Sequence, residues 1–343
     1  LSEDRFQRIL IRSTNWIGDA IMTTPAVKAI RRHFPLARIS ILAKPWVAPV
    51  FAHSPRIDEM IVFDDPGRHS GPAGIWRLSG QLRQKRFDAA ILLQNAIEAA
   101  LIATAARIPR RMGFATDGRG LLLTDRVWRR PGVKRLHQSR YYLEMLKGLN
   151  MPEHGRDLEL ELDPVDREWA QGFLRPYGIG AGDLVVGLNP SATYGPAKQW
   201  FIDRWAELGD RLARDKGARV LIFGGPADRD LGRDLAGRMA CRPLDLCGRT
   251  TLGRAMALIE TCGLFVTNDS GLMHVAAALN RPLVAIFGST DPVATGPLGP
   301  NSRVVRTRLP CSPCLKTHCP LGHTACMASI GVDAVAAAAG NVL

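Results

Sequence analysis

Short apolar runs bounded by polar or glycine-bearing turns alternate along the chain with stretches in which apolar residues recur every three or four positions. In the first half, Arg8–Ser13, Arg38–Leu42, Glu59–Phe63 and Asp88–Leu93 predict strands, with a short one at Met112–Phe114. Within residues 14–34 Gly18 permits a tight turn and a helix is predicted to start at or near Asp19, where Ile21, Val27 and Ile30 supply the apolar stripe and Pro25 falls within the first turns, where proline is tolerated. Further helices are predicted at Leu78–Lys85, Ala96–Arg107 and His137–Leu149. The period lapses over Met151–Pro164, which places a domain boundary there or slightly later, before Asp183.

The alternation then resumes. Strands are predicted at Leu184–Leu188, Arg219–Phe223, Leu264–Thr267 and Leu283–Phe287, with a short run at Pro243–Leu246. Helices are predicted at Ile202–Asp215, Asp228–Met239, Leu252–Glu260 and Leu272–Leu279, and a last one at Val332–Ala339. Strands alternating with helices in this way imply α/β domains built on parallel sheets with right-handed crossovers. The expected domains are 1–165 and 180–330, with a C-terminal helical segment at 331–343.

At 343 residues the chain has room for two cores, and 46% hydrophobic residues describe an ordinary globular protein. The formal net charge of +13 calls for anionic company: a nucleic acid, a membrane surface or a phosphorylated substrate. Arginine is dispersed instead of clustered and aromatics are 6%, which argues against nucleic acid. The most apolar run, Ala89–Ala106, carries Gln94, Asn95 and Glu98 and is a poor membrane span. The start of the chain has no apolar signal-like core, and seven cysteines do not make a secreted disulfide framework. The expectation is a cytoplasmic protein.

The chemistry gathers where predicted strands end. In Phe265–Leu279 a buried strand runs into the polar turn Asn268, Asp269, Ser270, Gly271 and then a small-residue helix carrying His274. Such a turn offers free backbone N–H groups and the positive end of a helix dipole to an anion such as a diphosphate. Asp269 or Ser270 read alone is a helix cap. Gly187–Trp200 repeats the arrangement: a strand, then a loop with Ser191, Thr193 and Gly195 that contains one cation, Lys198. A third strand ends in Gly224–Asp228, where Asp228 is placed to hold ribose hydroxyls. G-x-G-x-x-G after a strand, the P-loop, H-E-x-x-H and G-x-S-x-G motifs are all missing, which empties the commonest α/β enzyme classes. Cys311, Cys314, Cys319 and Cys326, interleaved with His318 and His323, permit a structural zinc site, but the six residues between the last two cysteines do not match a regular knuckle, and reduced thiols are the expectation. His53, His69 and His137 show no ligand spacing and read as surface or loop residues.

The segments NWIGDAIMTTPAVKAIRRHFP, GPAKQW, TNDSGLMHVAAALNRPLVAIFGSTDP and CSPCLKTHCPLGHTACM, in this order, resemble the lipopolysaccharide heptosyltransferases, glycosyltransferase family 9. The resemblance covers nearly the whole chain and implies a GT-B architecture, two facing Rossmann-like domains with acceptor bound by the first and donor by the second. In such folds the last helix often crosses back to the first domain. It also implies transfer of L-glycero-D-manno-heptose from ADP-heptose, with inversion, to the heptosylated Kdo–lipid A inner core. Addition of the first or of a branching heptose is the alternative within the family; a basic, non-enzymatic nucleic-acid-binding protein is a distant one. Asp19, in the turn with Asn15 and Gly18, matches the base at the acceptor hydroxyl. Lys198 matches the lysine on the donor phosphates, Asp269, Ser270, Gly271 and His274 the donor turn, and Asp228 an acidic residue at the adenosine ribose. A lysine beside a helix N-terminus stabilises a departing diphosphate without a metal or other cofactor. A helix N-terminus also lowers a carboxylate pKa, so part of the role expected of Asp19 is to orient the hydroxyl, and its bland reading is an N-cap. The implied partners are ADP-heptose, the glycolipid acceptor and the anionic inner face of the inner membrane, with no nucleic acid.

Overall fold

The computed structural model describes residues 6–343, so the start of the N-terminal stretch read above for a signal lies outside the described residues. The chain divides into two units, Leu1–Glu161 and Leu162–Leu343. The first runs β1 (Arg8–Arg12), α1 (Ile17–Met22), α2 (Thr24–His33), β2 (Arg38–Ala43), β3 (Glu59–Val62), α3 (Gly71–Gln84), β4 (Ala89–Leu92), α4 (Ile97–Ala105), β5 (Arg110–Phe114), β6 (Asp125–Val127) and α5 (Gln138–Gly148). The second begins with α6 (Pro164–Leu174), β7 (Val185–Asn189), α7 (Ile202–Lys216), β8 (Arg219–Ile222), α8 (Arg229–Arg238) and β9 (Leu244–Asp245). It ends with α9 (Leu252–Thr261), β10 (Leu264–Asn268), α10 (Gly271–Ala278), β11 (Leu283–Phe287), α11 (Pro292–Thr295), β12 (Ser302–Arg306), α12 (Ala325–Ala328) and α13 (Val332–Gly340).

Each unit holds a six-stranded sheet, β3-β2-β1-β4-β5-β6 and β9-β8-β7-β10-β11-β12. Every pairing is parallel. Both sheets therefore have the doubly wound order whose switch point lies between the first and fourth strands of the unit, the place where ligands bind outside the carboxyl ends. The α/β class and the pair of Rossmann-like sheets agree with expectation.

Helices cover these sheets, so central strands such as β4, β7, β10 and β11 are continuous apolar runs, buried along their whole length. In the first unit Leu10, Leu42 and Leu92 of the sheet meet Leu78 and Leu82 of α3 and Ala100 of α4. In the second, Val186, Val266 and Ile286 meet Trp205 and Leu208 of α7, Leu235 of α8 and Val335 of α13. Gly187 leaves room in β7 for an aromatic neighbour: an added Cβ would stand 2.5 Å from the Phe265 ring.

Several expectations need correction. The helix predicted from about Asp19 onward is two, α1 and α2, jointed at Thr23, whose N–H bonds the carbonyls of both Asp19 and Ala20. The last helix belongs to the second unit, where Val335 and Ala339 enter the core of that unit. Helix α6 occupies part of the 165–180 interval left between the two expected domains, capped by Asp163, which accepts from the Val165 N–H. His69 lies on the loop between β3 and α3, in keeping with the loop alternative, but is buried there, and its Nδ1 accepts the Asp64 N–H at 3.1 Å. His137 caps α5.

Candidate functional site

In the second unit the loop after β7 and the turn after β10 meet at the switch point of that sheet. Asn268, the last residue of β10, joins them: its Nδ2 donates to the Pro190 carbonyl at 2.7 Å and its Oδ1 accepts the Trp200 N–H at 3.2 Å. One buried amide thus pins both ends of the segment that carries Lys198. The Lys198 ammonium lies 2.6 Å from Asp269 Oδ2 and over the Tyr194 ring, 4.6 Å from its centroid. The same Asp269 oxygen accepts Thr290 Oγ1 at 2.6 Å. Lys198 and Asp269 keep 12% and 5% of their side-chain exposure, so the pair is fixed in a nearly dry setting.

Ser270 caps α10, accepting the Met273 N–H, and its hydroxyl accepts Asn189 Nδ2 at 2.7 Å. The cap reading of this serine is therefore correct, and it also fixes the N-terminus of α10 beside Lys198. Gly271 opens the helix and His274 is buried in its first turn. Asp228 is held from two sides, accepting Ser191 Oγ and the Gly225 N–H, both at 2.7 Å. Thr193 is exposed on the β7 loop. Gly195 has φ +149°, and an added Cβ would stand 2.5 Å from the Thr317 carbonyl oxygen. The close approach lets the cysteine-bearing loop bond the lysine loop, through Ala197 N–H to Thr317 O and Tyr194 OH to Leu315 O.

Cys311, Cys314, Cys319 and Cys326 line one small cavity with Ala197, Ser289 and His323. Backbone N–H groups, that of Thr324 foremost, draw the Cys319 thiol below its ordinary range, whereas burial pushes Cys326 up. Among the described residues no group of three or more His, Cys, Asp or Glu side chains is disposed to hold a metal ion. All seven cysteines are free thiols.

In the first unit a cavity of about 560 Å3 opens at the switch point between β1 and β4, lined by Thr14, Trp16, Asp19, Gln94, Asn95, Asp117, Gln138 and Tyr142, among others. Asp19 stands in the first turn of α1, whose N-cap is Trp16, so the carboxylate faces the cavity instead of capping the helix. Gly18 is buried beside it. Burial, and next the Asp19 charge, raise the Tyr142 phenol well above its ordinary range, which keeps that hydroxyl a proton donor. Two buried guanidiniums brace the loops that line the cavity. Arg12 donates to the Ser13 carbonyl at 2.5 Å and to Asn15 Oδ1 at 2.8 Å. Arg119 donates to the carbonyls of Phe114 and Gln94 and, at 3.1 Å, to Asn95 Oδ1. Burial lowers both to about 10, still charged at neutral pH.

The expected residues thus fall in two groups, Asn15, Gly18 and Asp19 in the first unit and the donor-type residues in the second. Sequence reasoning missed Thr290, Asn189, Arg12, Arg119 and Tyr142. Thr290, Asn189 and Arg12 share a readable signal, a polar residue at or just beyond the end of a buried strand; the other two have none.

A model of glycosyltransferase family 9 (heptosyltransferase) matches residues 75–325. The chain belongs to glycosyltransferase family 9. Over 312 residues this glycosyltransferase is 33% identical to the lipopolysaccharide heptosyltransferase 2 of Escherichia coli K12, covering 87% of this chain and 88% of that one. Its fold is similar to that of a family 9 glycosyl transferase from Veillonella parvula, with TM-score 0.91 and 26% identity over 100% of this chain and 98% of the other. It is also similar to the structure of E. coli ADP-heptose lps heptosyltransferase II, with TM-score 0.82 and 29% identity over 98% of each chain. No helix among the described residues is long and apolar enough to cross a membrane.

Proposed function

We propose that this glycosyltransferase moves L-glycero-D-manno-heptose from ADP-heptose to the heptosylated Kdo–lipid A inner core of lipopolysaccharide, inverting the anomeric centre. The observation that carries the reading is the Lys198–Asp269 pair beside the Ser270-capped start of α10, at the switch point of the second sheet. An ammonium and a helix N-terminus together favour a diphosphate, and they favour it more as negative charge grows on the departing oxygen. Asp228, with Ser191, is assigned to the adenosine ribose. Asp269 aims the lysine, and Thr290 aims Asp269.

On the acceptor side, Asp19 takes the proton of the attacking hydroxyl as its oxygen bonds to the anomeric carbon. The bond from that carbon to the β-phosphate breaks with both electrons leaving on ADP, so charge and atoms balance. Tyr142 and Gln138 keep Asp19 among hydrogen-bonding neighbours, and Trp16 gives a sugar ring an apolar face. Leaving-group charge is met by Lys198 and α10, an arrangement that needs no resident metal. A net charge of +13 suits association with the anionic membrane leaflet that carries such an acceptor.

The test is mass-detected heptose transfer from ADP-heptose to acceptors bearing no heptose or one, with Asp19→Ala and Lys198→Ala alongside. Transfer only to the one-heptose acceptor, reduced about 100-fold or more in each variant, is the expected result. Transfer to the heptose-free acceptor assigns the first heptose instead. No transfer and no ADP-heptose binding would overturn the reading.

A further inference from the structure

A basic segment that follows the last strand of the first sheet takes no part in the proposed transfer chemistry. Residues 126–135, RVWRRPGVKR, hold five cations and no acid. Trp128 follows β6 directly and is 70% exposed. Arg130, Lys134 and Arg135 are exposed, Arg129 is half-exposed, and none of the four forms an ion pair among the described residues. The nearest acid in sequence, Asp125, is already bound to Arg110. An ordinary solvated charge run mixes signs and hides its large aromatics. Here a nearly bare indole sits among four unpaired cations, the combination that suits the polar–apolar boundary of an anionic bilayer.

Position supports this. All strands of the sheet are parallel, so β6 delivers Trp128 to the same carboxyl edge at which β1 delivers the Asp19 turn. The two strands lie three places apart in the sheet, or about 15 Å at the usual strand spacing. Trp46, 43% exposed and bonded through Nε1 to the Asn15 carbonyl at 2.8 Å, belongs to the same edge. A lipid-anchored acceptor has to reach the Asp19 cavity from a bilayer, and this rim is where the fold offers both charge and an amphipathic aromatic.

We propose that Trp128 with Arg129, Arg130, Lys134 and Arg135 is the surface by which the first unit docks on an anionic bilayer, setting the Asp19 cavity at headgroup level. The proposal rests on the lipid-linked acceptor proposed above. It commits to the bilayer because phosphate alone accounts for the cations but leaves the exposed indole without a partner.

The experiment uses the full chain with vesicles of phosphatidylcholine, with and without about one third phosphatidylglycerol, in a sedimentation assay. Trp128→Ala and the double variant Arg129→Ser/Arg130→Ser are compared with the native chain, and each is assayed for transfer to a detergent-dispersed acceptor. Expected are binding to the anionic vesicles alone, weakened by salt, and a loss of roughly 20- to 30-fold in the double variant, with detergent-phase transfer unchanged. Trp128→Ala is expected to weaken binding in both high and low salt, since its share is apolar. Native-like binding by both variants, or no binding by the native chain, overturns the surface while leaving the transferase reading intact. Salt-sensitive binding to duplex DNA that both variants lose, with no vesicle binding, overturns it in favour of nucleic acid. Absence of transfer in detergent by the native chain is instead a failure of the function, and separates the two.

Discussion

Replacing Asn268 by alanine tests whether one amide holds the lysine loop. The substitution removes a donor from the Pro190 carbonyl and an acceptor from the Trp200 N–H, both buried. Each buried group left unpaired costs about 1–3 kcal/mol, for a sum of about 2–6. A water entering the vacated space returns part of that, which leaves about 2–4 kcal/mol. The two units have separate cores, so a single unfolding curve is the wrong instrument. Hydrogen exchange reads the units apart: amides of β7 and β10 are expected to lose about 30- to 1000-fold in protection, while those of β1 and β4 keep theirs. Lys198, freed from its anchored loop, should then serve the donor poorly, so kcat/KM for ADP-heptose falls by about tenfold or more. Asn301→Ala, at an exposed position, is the control. Protection in β7 and β10 within threefold of native, with unchanged transfer, would refute the reasoning.

Three further outcomes are expected. Glu159 is pulled below its ordinary pKa because, although partial burial pushes it up, hydrogen bonds from Arg56 and Lys28 outweigh that. Its stabilisation is therefore present above the unfolded value near 4.5 and lost as pH falls through the lower folded value. Glu159→Gln should destabilise the first unit by about 1 kcal/mol at pH 7 after allowing for solvent screening, and by progressively less as pH falls below 4.5; a pH-independent difference in the protection of β1 and β4 amides would be the contrary result. Gly195→Ala places a Cβ against the Thr317 carbonyl at a φ that L-residues avoid. A cost of about 2 kcal/mol or more is expected, read as about 30-fold lower hydrogen-exchange protection of β7 amides, and native protection there would show that the loop yields freely. Exhaustive dialysis against a chelator should leave transfer within about twofold, whereas a loss restored by one divalent cation would require a metal at the diphosphate.

How much of this was legible depends on how local the physics is. Strands buried on both faces, such as β10 and β11, announce themselves as unbroken apolar runs, and so does the polar turn that ends each one. Lys198, Asn268, Asp269 and Ser270 were readable for that reason. Strand β12 was missed because SRVVR is a half-exposed edge strand with charges at both ends, and β6 because three residues carry no period. Helix α6 had its Asp163–Pro164 start signal, but the aperiodic stretch before it masked the beginning. Arg12 reads in sequence as the solvated end of a strand, and only the fold reveals it as buried and bonded to Asn15. Arg119 likewise owes its role to loops more than twenty residues away in the chain.

The repetition of one strand order in both units sharpens the assignment of roles. Each sheet brings the loop after its first strand against the loop after its fourth. The scaffold is thus indifferent to chemistry, and the residues at the two switch points decide what each binds. In the second unit those residues are an ammonium, a carboxylate aiming it and a capped helix of eight residues, a set matched to phosphate. In the first they are neutral amides, a phenol kept protonated and two carboxylates, Asp19 and Asp117, that line a cavity. The guanidiniums of Arg12 and Arg119 bond to backbone carbonyls and to the side chains of Asn15 and Asn95, and so hold the loops that carry the cavity lining. A phosphate binder does not need a carboxylate there, and a base for a sugar hydroxyl does. The division of labour proposed for the units thus rests on side-chain type at equivalent places in two equivalent sheets.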